Sequence, residues 1–141
     1  LVIAGENRPH MYGDPPVEPG EDPGTLCIFE RLSIERVEAV VRAADAVGLP
    51  YVTILNSGAA ILALTLGRPV VVPAVGCLPW TLPQPPAVLY DPNEGLGLEE
   101  AIVQALDSKD SAEPLARTWA MQHSPEAMAA EFVDALTQVF D

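Results

Sequence analysis

The chain has 141 residues, enough for one core and short for two full domains. Twenty Asp and Glu against seven Lys and Arg give a formal charge of −13, which excludes a nucleic-acid binder built on clustered cations. An apolar share of 49% excludes an acidic disordered tail, no long uncharged apolar run reads as a membrane helix, and two cysteines, Cys27 and Cys77, are too few for a disulfide framework and read as unpaired thiols.

Leu1 to Ala4 reads as a buried strand closed by Gly5. A chain that opens inside a core, with no Met and no leader, suggests a fragment of something larger. Residues 6–24 carry Pro9, Pro15, Pro16, Pro19 and Pro23 with three glycines, a loop or linker because proline lacks the donor that helix and strand interiors use. Thr25 to Phe29 reads as the second strand. Ser33 suits a helix cap, and Ile34, Val37, Val41, Ala44 and Val47 recur at helical spacing. Ala46 to Pro50 reads as a third short strand continuing toward Tyr51.

Asn56 or Ser57 then caps a helix that is apolar nearly all round and stops at Gly67. Pro69 to Val75 is the next strand, and residues 76–87 form a second Pro-rich loop. Val88 to Tyr90 is an edge strand, and Asp91-Pro92-Asn93 turns the chain into a helix at 97–107 with Leu98, Ile102, Val103 and Leu106 as its inner stripe. A helix at 111–122 follows, and the last begins with Ser124 as cap and Pro125 at its first position. Its expected inner face is Met128, Phe132, Ala135, Leu136 and Val139. Strands alternate with helices throughout, which predicts a single α/β domain over 1–141 with a Rossmann-like parallel sheet flanked by helices.

The charges are unevenly spread. Between Asp45 and Asp91 the one ionised residue is Arg68, so the centre lies inside and the acidic flanks meet water. That uncharged centre also holds the strongest local signal, the turn at Leu55 to Ala60. A helix that opens with Gly-Ala-Ala presents free N–H groups and the positive end of its dipole, which suits an anion, above all a diphosphate. An ordinary N-cap on a buried helix is the plainer reading of the same residues. Arg8 and His10 follow the first strand, where open α/β sheets bind ligands, although a solvated loop accounts for both. Arg68 follows the far end of the helix and reads as structural, and His123 reads as surface. No metal-ligand spacing, no G-x-G-x-x-G and no nucleophile elbow occurs, so a metal, a dinucleotide cofactor and a serine hydrolase have no support.

Several segments in order carry a family likeness: Ala43-Ala44-Asp45-Ala46-Val47-Gly48-Leu49-Pro50-Tyr51, Ile54-Leu55-Asn56-Ser57-Gly58, Ala63 to Pro73, and Gly76-Cys77-Leu78-Pro79. Together they resemble the nucleotide-sugar-binding C-terminal domain of GT-B glycosyltransferases of the group 1, exopolysaccharide type. The resemblance implies one half of a GT-B architecture, a nucleoside diphosphate sugar as substrate and no metal cofactor. It implies that Asn56, Ser57, Gly58 and Ala59 hold the diphosphate. Gly5, Arg8, His10, Phe29, Glu30, Arg31, Leu32 and Tyr51 would line the nucleobase and sugar cleft. Departures are equally specific. Ile54 and Leu62 stand where many members have glutamates, Trp80 stands where the Gly-Cys-Leu-Pro loop usually continues with Glu, and the family's diphosphate-neutralising Arg and Lys would precede Leu1. Catalytic residues are therefore not assigned.

The resemblance further implies a hexosyl transfer in the cytoplasm, at most peripheral to the inner membrane face. An N-terminal acceptor domain would be the partner, without which this chain binds donor weakly and transfers nothing. Two alternatives remain: a nucleotide-sugar epimerase domain on the same fold, and a non-enzymatic α/β interaction module.

Overall fold

The computed structural model describes residues 1–6, 20, 22–95 and 97–140, and the chain divides into two compact units, Leu1–Val40 and Val41–Asp141. Arg8, His10 and most of the 6–24 loop fall outside the described residues.

In the first unit, β1 (Val2–Ala4) pairs in parallel with β2 (Leu26–Ile28), Val2 opposite Leu26 and Ala4 opposite Ile28. The turn into β2 is fixed by Asp22, whose carboxylate accepts from Gly24 N–H at 3.0 Å and from the Thr25 hydroxyl at 2.6 Å. Those bonds hold the Asp22 carboxyl below its ordinary pKa, the Thr25 hydroxyl contributing most. The strand expected to be buried at Leu1 to Ala4 is in fact largely open, with Val2 48% exposed. Helix α1 (Ile34–Ala43) leads the chain from the first unit into the second.

The second unit is built on a three-stranded parallel sheet in the order β3 (Val47–Gly48), β4 (Val70–Pro73), β5 (Ala87–Tyr90). The Val-Val-Val-Pro strand β4 is central and buried at every position, as a strand covered on both faces must be. Its side chains alternate. Val70 and Val72 join a core with Ala60, Ala63 and Leu64 of α2 (Gly58–Thr65) and Ala116 of α5 (Lys109–Gln122). Val71 points the other way, to Ala101 and Ala105 of α4 (Gly97–Asp107). Parallel strands with helices on both faces are a Rossmann-like α/β arrangement, the fold class the alternating pattern predicts.

Three expectations are revised. Helix α4 meets the sheet through Ala101 and Ala105, with Leu98 of the expected stripe packed against the same cluster, while Ile102, Val103 and Leu106 are 38%, 57% and 43% exposed. Small side chains let the helix axis lie close to the strands, so the alanines are covered instead of the larger residues one position along. Inside the Pro-rich 76–87 segment a short helix α3 (Leu78–Thr81) forms, because proline in a first turn surrenders only an N–H that had no partner. The last helix, α6 (Pro125–Phe140), has its cap as expected: Ser124 Oγ accepts from Ala127 N–H at 3.2 Å. Its expected inner face is not covered.

Candidate functional site

The carboxyl ends of β3 and β4 deliver two loops to one place in the second unit. The first, Leu49 to Ser57, carries the chain into α2, and the second, Ala74 to Cys77, carries it into α3. Cys77 N–H donates to Leu55 O at 2.8 Å and ties them together. Gly76 makes the approach possible: its φ is +57, and a Cβ there would stand 2.1 Å from Ile54 O.

Within this frame Ser57 is 2% exposed and caps α2. Its Oγ accepts from Ala60 N–H at 3.1 Å and shares a hydrogen bond of 2.7 Å with the Tyr51 hydroxyl. Ser57 has extended backbone, φ −132 and ψ 105, as an N-cap requires. Its own N–H donates to Asn56 Oδ1 at 2.8 Å. Of the three N–H groups expected to face an anion, that of Ser57 is thus already engaged. Those of Gly58 and Ala59, on exposed residues, have no acceptor among the described residues. They are the first two donors of an eight-residue helix, at its positive end. A Cβ at Gly58 would meet nothing within 4 Å, so the approach to its backbone is open.

Asn56, Ser57, Gly58 and Ala59 form one turn, and Tyr51 is joined to it by its hydrogen bond to Ser57. Tyr51 acts there through the cap hydroxyl. The Leu49 to Ser57 loop also carries two exposed apolar residues that the spacing did not single out, Val52 (91% exposed) and Leu55 (74%). The one signal for them in the sequence is a large apolar residue in a loop with no helical or strand period.

The remaining predicted residues belong to the first unit. Gly5 N–H donates to Ile28 O at 3.1 Å, closing the end of β1 on β2. Phe29 and Leu32 are half-buried, Arg31 is exposed, and the Glu30 carboxylate pairs with the Arg36 guanidinium. Arg8 and His10 lie outside the described residues.

Two cations of the second unit, Arg68 and Arg117, sit at the C-terminal end of α2, away from the cap. Helix α2 ends in a Schellman turn, with Gly67 N–H on Leu64 O and Arg68 N–H on Ala63 O, both 2.9 Å, and Gly67 at φ +78. This places Arg68 about 12 Å along the helix from Ser57, at 1.5 Å per residue. The Arg68 guanidinium reaches the Arg42 carbonyl at 2.9 Å, a structural role. Lys109 Nζ lies 2.7 Å from Asp45, and Arg117 lies 2.8 Å from Glu113. The Lys109 hydrogen bond, seconded by its charge, holds the Asp45 carboxyl below its usual value, and the same partner raises Lys109. His123 stacks on Trp119, ring centroids 4.4 Å apart, and its Nδ1 lies 2.8 Å from Trp119 O.

Among the described residues no helix is long and apolar enough to cross a membrane, and no group of His, Cys, Asp and Glu is arranged to hold a metal ion. Cys27 and Cys77 are free, half-buried thiols. Neither a protein-family model nor a curated protein matches the chain.

Proposed function

We propose that the second unit binds the diphosphate of a nucleotide sugar at the N-terminus of α2, the donor-side role in a glycosyltransferase of GT-B type. The observation that carries this reading is the pair of open N–H donors at Gly58 and Ala59 on a helix start clamped by Ser57 and Tyr51. Such a start offers two hydrogen bonds and a positive dipole end to a phosphate oxygen. Three further features support it. The turn lies at the carboxyl ends of a parallel sheet, where open α/β folds receive ligands. No Asp or Glu occurs between Asp45 and Asp91, so an anion approaching this turn meets no carboxylate from the turn itself. The ordered segments from Ala43 to Pro79 resemble the donor domain of that enzyme class.

In the reaction, the bond between the anomeric carbon and the diphosphate oxygen breaks, and the sugar passes to an acceptor hydroxyl. Negative charge grows on the leaving diphosphate, and donors aimed at it lower the barrier because they need no reorganisation as the charge develops. The role of Gly58 and Ala59 is this charge stabilisation, and that of Tyr51 and Ser57 is to hold the turn still. Transfer itself calls for an acceptor domain that completes the cleft.

Calorimetric titration with UDP, GDP and ADP tests the reading. Heat of binding from one of the three, with a matching rise in melting temperature, supports it. No heat and no thermal shift with any of them at millimolar concentration contradicts it and favours an interaction module, the second reading, for which the uncovered face of α6 speaks.

A further inference from the structure

We draw no further inference here: the strongest candidate, the apolar face that α6 leaves exposed at Met128, Phe132, Leu136 and Val139, carries nothing because nothing in the structure shows what covers it.

Discussion

Replacing Gly58 by proline separates the ligand role of the α2 N-terminus from its structural role. Gly58 is the first residue of the helix, and its N–H has no partner among the described residues. Proline at that position deletes only this donor and keeps a helical φ. The preceding residue must then be extended, and Ser57 already is, at φ −132 and ψ 105. A Cβ at position 58 meets open space. Stability should therefore hold or rise by about 0.4–1 kcal/mol as the unfolded chain loses freedom, a gain of about 2–8 °C for a unit of this size. Binding should fall, because one hydrogen bond to a charged phosphate is lost, worth about 1.5–3 kcal/mol or roughly 10- to 150-fold in affinity. Thermal melts and calorimetry with the nucleoside diphosphate that binds the parent chain measure both quantities. A Gly58→Pro protein that melts like the parent and binds with the same affinity would refute the reasoning. A fall in melting temperature would refute its premise, that this N–H does nothing for the fold.

The other perturbations probe the frame around those donors. Ser57→Ala strands the N–H of the fully buried Ala60 and should cost about 2 kcal/mol in urea unfolding, whereas Tyr51→Phe leaves the cap bond intact and should cost less than about 1 kcal/mol. Equal losses would contradict the assignment of Ser57 as the working cap. Gly76→Ala forces a Cβ into the Ile54 carbonyl at a positive φ and should destabilise by more than about 3 kcal/mol, and a urea midpoint close to the parent's would contradict this close approach. For Asp45, the folded carboxyl lies below its ordinary value because Lys109 bonds to it, so its stabilisation is present above the unfolded value and lost as pH falls through the folded one. Asp45→Asn should therefore melt slightly below the parent at pH near 7 and together with it at pH about 2, under the unperturbed carboxylate range. A melting gap that stays constant with pH would contradict the pairing.

The order of elements was legible because it rests on local chemistry. Ser57 as cap and Gly67 as stop bracket α2, and the apolar run at Val70 to Val72 becomes the central strand. What escaped the sequence depends on distance between elements. Hydropathy favours Leu98, Ile102, Val103 and Leu106 as a core stripe, and Leu98 does pack against the core, but close approach to the sheet selects Ala101 and Ala105 over the other three. The period of α6 reveals an apolar face without revealing whether anything covers it. At the site, Tyr51 was named for a cleft, and its bond to the Ser57 hydroxyl depends on how the Leu49 to Asn56 loop folds back, which no spacing encodes. The capture of Ser57 N–H by the Asn56 side chain is a rotamer choice, equally invisible in a string of residue types.

The central claim is that Gly58 and Ala59 donate to a nucleoside diphosphate, and amide NMR reads those two protons directly. Titration of the 15N-labelled chain with UDP, GDP and ADP should move the Gly58 and Ala59 amide protons downfield with one of these ligands, while the amide of Ala60, already bonded to Ser57 Oγ, moves less. Saturating ligand that leaves both amides unmoved, or that shifts only residues remote from the Leu55 to Ala60 turn, would contradict the account.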